Sequence, residues 1–138
     1  MPVSDVIELF EASGRDEAPF FGLVDAFYRR VETDHALRSL YPADLAPGKQ
    51  HLSWFLIQRF GGPAHFNNRR GAPMLRRRHM EFEITREVAM RWFGQMSAAI
   101  DEIPLFAENR EIVLHYFEDA AIFLINHGQA EQGPLTRI

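Results

Sequence analysis

The sequence predicts an all-α domain, and three observations carry that expectation. Apolar side chains recur at helical spacing along several stretches. Those stretches are bounded by capping residues, glycines and prolines. No stretch alternates apolar and polar residues as a half-buried strand would. At 138 residues, one domain spanning 1–138 is the natural expectation.

A short helix is expected from Val3 to Ala12, stopped at Gly14. The next starts near Asp16, a suitable cap, with Pro19 tolerated in the first turn. Phe20, Leu23, Val24, Phe27, Tyr28 and Val31 form its apolar stripe. A second short piece, Asp34 to Leu40, ends before Tyr41-Pro42, because the residue before a proline disfavours helix. Gly48 to Phe60 reads as another helix with Leu52, Phe55 and Leu56 on one face, and Gly61-Gly62-Pro63 stops it. Residues 61–78 are rich in Gly, Pro, Asn and Arg and have little periodicity. A long irregular stretch of this kind is usually functional or mobile, and it runs directly into His79. Thr85 caps the helix whose stripe is Val88, Ala89, Trp92, Phe93, Met96 and Ile100. Pro104 breaks the chain. The last helix is expected from Ala107 to Asn126, with Gly128 as terminator and a loose polar tail over 128–138. Two long C-terminal helices joined by a short link suggest an antiparallel pair.

Composition narrows the class. Apolar residues make up 46% and charged residues 25%, ordinary for a soluble globular protein. The formal net charge of -4 argues against a nucleic-acid binder. There is no cysteine, which removes disulfides, thiolate-ligated zinc, iron–sulfur clusters and thiol nucleophiles. No apolar run reaches the length of about 18 residues that a membrane span needs. The segment MPVSDVIELFE lacks the basic start and apolar stretch of a signal peptide, so a cytoplasmic protein is expected. Twelve Phe, three Tyr and two Trp are many aromatics for so short a chain. A Phe-rich core and a large apolar cofactor slot both account for them.

Five segments, in order and at similar spacing, carry a resemblance to a known family: FYRRV (27–31), LRSLYP (37–42), WFLIQRFGGP (54–63), the RG-P-LRRRH pattern ending at His79, and Trp92 thirteen residues later. Together they resemble the truncated haemoglobins of group II, over a core of about residues 18–127. The resemblance implies a two-over-two antiparallel helical sandwich around one haem b (iron protoporphyrin IX), with the helix before the proximal histidine reduced to a loop. It implies that His79 is the axial ligand of the iron, a role neutral imidazole suits because it leaves the opposite face open. A second acceptor is expected on its other ring nitrogen. Taken without the pattern, His79 is simply an exposed histidine after three arginines.

The same resemblance makes Tyr28, Tyr41 and Trp92 the distal, ligand-facing donors; on the residues alone, Tyr28 and Trp92 read equally as core. Donors around a bound diatomic ligand slow its release, each buried bond contributing roughly 0.5–1.5 kcal/mol. Gly48 takes the position at which classical globins carry a distal histidine. Leu52 is expected against the distal haem face, and Phe55, Leu75 and Phe82 along the slot or in the general core. His51 is within reach of a haem propionate or else on an exposed face. Arg78, in the run Arg76-Arg77-Arg78, is a further candidate for propionate pairing. His35, His65, His115 and His127 read as surface or packing residues. Two departures from the family pattern stand out: Phe66 replaces a tyrosine and cannot donate a hydrogen bond to a propionate, and Ala72 replaces a histidine in the loop.

Three functions follow as expectations. The first is a haem protein binding dioxygen, carbon monoxide, nitric oxide or peroxide for redox chemistry on the bound ligand. That chemistry would be nitric oxide dioxygenation or peroxidase-like activation, with electrons from an external reductase. The second is a non-catalytic storage or sensing module. The third is a helical interaction protein without haem. No nucleic acid and no membrane span are expected, and the assembly is a monomer or homodimer.

Overall fold

Why the chain folds as it does is clearest at its helix ends, which are set by side chains close in sequence. In the computed structural model, which describes residues 3–127, Val6–Glu8 forms a single 3₁₀ turn. The Asp5 carboxylate caps this turn by accepting from the Ile7 N–H. Helix α1 (Leu9–Ala12) follows, so the expected first helix is a 3₁₀ turn running into an α turn. Helix α2 spans Ala18–Thr33. Asp16 holds its start by accepting from the Ala18 N–H at 3.0 Å, satisfying one of the orphan donors of the first turn. Asp34 leaves helical conformation and caps α3 (His35–Arg38), its carboxylate accepting from the Leu37 N–H.

Helix α4 covers Ala46–Arg59, starting two residues earlier than expected because Pro47 sits in its first turn, where a missing N–H costs nothing. It stops where Gly61 adopts φ +101° beneath the Ile7 carbonyl. A Cβ at Gly61 would approach that oxygen to 2.1 Å, so only glycine fits.

The stretch 61–78 is not wholly irregular. It contains α5 (His65–Arg70) and α6 (Leu75–Arg78). Neither is long enough to show a period. α5 is held by the buried Phe66 ring against Phe55 and by Gln58, which bonds Asn67 through both the backbone and the side chain. Helix α7 (Arg86–Ile100) opens on Thr85, whose hydroxyl accepts from the Val88 N–H. Pro104 starts the short α8 (Pro104–Ala107) rather than only ending a helix, and α9 spans Arg110–Phe123. Gly128 and the tail 128–138 lie outside the described residues. Among the described residues there is no strand.

Two helix pairs make the fold, α2 with α4 and α7 with α9, joined by packing of α2 on α7. Most of the aromatic excess goes into the core between them. Phe20 is fully buried and meets Phe10 at 5.9 Å, Phe60 at 6.2 Å and Phe106 edge-on at 5.4 Å. Phe60 continues the cluster to Tyr116 and Phe117. Each such pair adds roughly 0.5–1.5 kcal/mol beyond the burial of its area. This Phe cluster ties the N-terminal turns, α2, α4, α8 and α9 together, and the first half of the α7 stripe, Val88, Ala89 and Trp92, is left to line a cleft.

Candidate functional site

A cleft opens where α3, α7, α9 and the loop after α6 converge. Its volume is about 200 Å³, below the roughly 300–1,000 Å³ usual for small-molecule sites. A large planar cofactor would therefore have to part its walls. One wall comes from α3 and the segment after it, through Leu37, Leu40, Tyr41 and Pro42. A second comes from α7, through Val88, Ala89 and Trp92, and a third from the end of α9, through Ala120, Ala121 and Leu124. His79, Phe82 and Ile84 close the remaining side. Nearly all of this lining is aliphatic or aromatic.

His79 is the sole imidazole in the lining. Its Nδ1 lies 2.7 Å from the Leu75 carbonyl oxygen, one turn back along α6. A carbonyl only accepts, so Nδ1 carries the proton and Nε2 keeps its lone pair for a ligand. The backbone around His79 is anchored to the end of α9. The Asn126 side chain donates to the carbonyls of His79 (3.0 Å) and Phe82 (2.9 Å) and accepts from the Ile84 N–H (2.9 Å). The Arg76 guanidinium donates to the carbonyls of Phe123 and Ile125. The segment is entered through Met74, held at φ +42° in the left-handed region that a side chain disfavours.

Polar aromatics share the cleft with His79. The Tyr28 and Tyr41 rings meet edge-on with centroids 5.6 Å apart, and Trp92 stacks at a tilt against Phe27 at 5.2 Å. Tyr41 and Trp92 line the cleft; Tyr28 sits behind Tyr41, on α2. Burial pushes the Tyr28 hydroxyl up to about 12. The Tyr41 hydroxyl is also raised, by burial first and by Tyr28 second, against a hydrogen bond from Trp92 that pulls the other way. Both phenols are therefore neutral donors at physiological pH. Gly48 faces Tyr28: a Cβ there would stand 2.8 Å from the Tyr28 hydroxyl oxygen, so the bare glycine makes room for it.

Asp34, at the junction of α2 and α3, ties these walls together. Its buried carboxylate accepts from the Arg91 guanidinium at 2.7 Å and from Gln95 at 2.9 Å, both on α7. Those two bonds hold its carboxyl down at about 2, with the Leu37 N–H contributing.

Of the residues singled out from sequence, His79, Tyr41, Trp92 and Phe82 lie together in the cleft lining, with Tyr28 and Gly48 directly behind. Leu52 and Phe55 pack against the main core, and Phe55 lies on Phe66. The Leu75 side chain is half-buried; it is the Leu75 carbonyl that meets His79. His51 accepts a hydrogen bond from Arg70 at 2.9 Å, and burial, then Arg70 and Arg78, lower its pKa. The Arg78 guanidinium is occupied by the carbonyls of Arg70, Ala72 and Pro73.

Leu37, Leu40, Ile84, Ala120, Ala121 and Leu124 complete the lining without a chemical signal in the sequence. The anchoring roles of Asn126 and Arg76 leave no local pattern, because their partners are backbone carbonyls and one backbone N–H some 42–49 positions away. Among the described residues no group of three His, Asp or Glu side chains is placed to hold a metal ion by itself. The residues present do fit haem: one imidazole nitrogen left without a protein partner, apolar walls, and hydroxyl and indole donors in or beside the same lining.

A two-over-two helical sandwich whose apolar cleft is lined by one histidine together with a tyrosine and a tryptophan has the architecture of a shortened globin. The chain belongs to the bacterial-like globin family, whose profile matches residues 8–126, and its relatives there are group 2 truncated haemoglobins. A group 2 truncated haemoglobin of Bacillus subtilis is 38% identical over 109 residues, 79% of this chain and 83% of the relative. The solved haemoglobin of the thermophilic phototroph Chloroflexus aurantiacus superposes with a TM-score of 0.81 at 44% identity, covering 86% of this chain and 98% of that one. The truncated oxygen-avid haemoglobin of Bacillus subtilis superposes at 0.79 with 36% identity, over 86% of this chain and 98% of that one.

Proposed function

We propose that this chain binds one haem b through His79 Nε2 and holds a diatomic ligand beneath Tyr28, Tyr41 and Trp92. The purpose is redox chemistry on that ligand rather than oxygen delivery. Membership of the family supports the coarse reading, haem-based binding of oxygen or another diatomic molecule. The observation that carries the finer one is the His79 imidazole itself. Its Nδ1 proton is committed to the Leu75 carbonyl, leaving a lone pair on a nitrogen in the wall of an apolar cleft.

Haem supplies, when bound, an iron centre that takes a diatomic ligand and exchanges electrons. The remaining work falls to the side chains. Leu75 and Asn126 fix the ring and the backbone of His79. The aliphatic walls exclude water, which strengthens every polar contact inside. Tyr41 and Trp92 offer donors at the cleft, and Tyr28 backs them. Two retained donors slow ligand release by tens-fold at roughly 0.5–1.5 kcal/mol each, which suits turnover of the held ligand, by nitric oxide dioxygenation or peroxide activation, better than its delivery. The Bacillus subtilis structure is of an oxygen-avid protein, in keeping with tight retention. Electrons are supplied by a separate reductase.

The test has two stages. Purified protein mixed with hemin should give a Soret band that His79→Ala largely loses. A colourless wild type would end the reading. Stopped-flow mixing of the oxygenated protein with nitric oxide should then give rapid oxidation to the ferric form. If that rate matches the spontaneous one, the dioxygenase role fails and storage or sensing takes its place.

A further inference from the structure

We infer that the arginine-rich face formed by α5, α6 and the loop between them is a docking surface for a compact acidic protein at the edge of the His79 cleft. This rests on the proposed function in taking that protein to be the reductase. The charge is distributed very unevenly. Residues 45–80 contain no Asp or Glu and seven basic side chains: Lys49, Arg59, Arg69, Arg70, Arg76, Arg77 and Arg78. The rest of the chain carries all 19 acidic side chains against eight basic ones. A protein of net charge -4 thus concentrates positive charge in one segment, although Lys49 pairs with Asp25 and Arg59 lies over the Tyr116 ring.

Five of the seven fall within positions 69–78. Among the described residues none of these five has a carboxylate within ion-pair distance; the ion pairs lie elsewhere. Uncharged partners hold them instead. Arg69 lies 4.8 Å over the Trp54 ring, and Arg70 and Arg78 cover Phe66. Arg76 and Arg78 donate to backbone carbonyls. Guanidinium groups fixed this way keep their charge and lose little freedom when a carboxylate arrives. Arg77 is exposed.

Met74 and Met80 lie in the same segment, 52% and 55% exposed, as an apolar element among the charges. Met and Arg are the residue types that protein interfaces favour. Phe82 is exposed too, but it lines the cleft and belongs to that site.

Shape decides among anionic partners. Duplex DNA and an anionic bilayer extend past the patch and meet the acidic remainder of the molecule, which repels them. A compact protein with a carboxylate-rich face meets the patch alone. A surface of this kind suits a brief, electrostatically steered encounter, the class that buries less than about 1,200 Å².

The test uses haem-loaded protein with an acidic [2Fe–2S] ferredoxin as probe, and reads binding by titration. Raising ionic strength from about 0.01 to 0.15 M shortens the Debye length from roughly 30 to 8 Å and should weaken binding on the order of tenfold or more. Arg69→Glu with Arg77→Glu should weaken it by a similar factor at low salt, with Soret band and helical circular dichroism unchanged. Arg69→Lys with Arg77→Lys should keep it within about twofold, since the charge persists.

The inference is overturned if ferredoxin does not bind, or if the charge-reversed protein binds it equally well. It is also overturned if phosphatidylserine vesicles or duplex DNA bind more tightly than ferredoxin at the higher salt, or if sedimentation shows the patch occupied by a second copy of this chain. Loss of the Soret band in wild type would remove the haem reading, while the salt and charge dependence of ferredoxin binding is still read separately.

Discussion

One missing Cβ decides where the Tyr28 hydroxyl can sit. Modest additions at position 48 should therefore act through Tyr28 rather than through bulk at the cleft. Gly48→Ala places a methyl 2.8 Å from the hydroxyl oxygen and forces it aside. If Tyr28 supports the bound ligand as proposed, the expected result is oxygen dissociation about 2- to 10-fold faster, the equivalent of one hydrogen bond. Tyr28→Phe should produce the same change, and adding Gly48→Ala to it should change nothing further. A double-mutant cycle read by stopped-flow oxygen release checks this, and additive effects would mean that Gly48 acts independently of the phenol. Trp92→Phe removes the indole donor and should likewise speed release. An unchanged rate would leave Trp92 only its packing on Phe27 and Phe117. At this scale the sequence was unevenly informative. Tyr28 and Trp92 sit on helical stripes that any apolar periodicity reveals. Gly48 owes its significance to the close approach of α4 to α2, and a through-space distance leaves no local pattern.

Between elements, the cleft depends on two polar ties that carry no apolar signal. Asp34 links the α2–α3 junction to α7, between the segments that carry Tyr41 and Trp92. Its folded carboxyl is lowered to about 2 from an ordinary 3.8. The charged form is thus favoured in the folded state. The stability this gives is fully present above about pH 4 and is lost as pH falls through 2. Asp34→Asn should melt at a lower temperature than wild type at neutral pH, and the gap between the two should close on acidification from about pH 4 to pH 2. Melting curves at several pH values test it; a gap constant across that window would assign the loss to packing rather than charge. Asn126 is the second tie. Asn126→Ala removes two donors and one acceptor from the 79–84 segment and should destabilise the protein by about 1–3 kcal/mol, with haem passing faster to an acceptor protein in a transfer assay. Equal transfer rates would show that the backbone of His79 holds its place without Asn126. The helices themselves were largely legible, because caps such as Thr85 and stops such as Gly61 act within four residues. The short α5 and α6 were not, because their order comes from Phe66 and from arginines bonded to carbonyls, contacts with no period to read.

Taken as a whole, the molecule separates its stability from its cleft. The Phe cluster around Phe20 and Phe60 lies on the α2–α4 side and reaches α9, whereas His79 stands in a segment held mainly by hydrogen bonds. The all-helical class could be read from the sequence because such a core demands long amphipathic helices. The division of labour could not, because the same count of aromatics serves a solid core or a cofactor slot. The structure spends most of them on the core and leaves Tyr41, Phe82 and Trp92 for the cleft. The protein without haem is accordingly expected to keep most of its helix and to melt cooperatively. A ligand that binds only the folded form then adds RT ln(1 + [L]/Kd), about 4 kcal/mol when its free concentration is a thousand times Kd. Hemin should therefore raise the melting temperature of wild type, by an increment that grows with hemin concentration. His79→Ala should fold with nearly the wild-type helix content, because its ring is not part of the Phe cluster, yet show little of that increment. Calorimetry on both proteins across a hemin series separates the alternatives. A variant that gains as much as wild type would place the anchoring energy in the apolar walls rather than in the imidazole. A variant that loses its helix content even without hemin would make His79 a structural residue first.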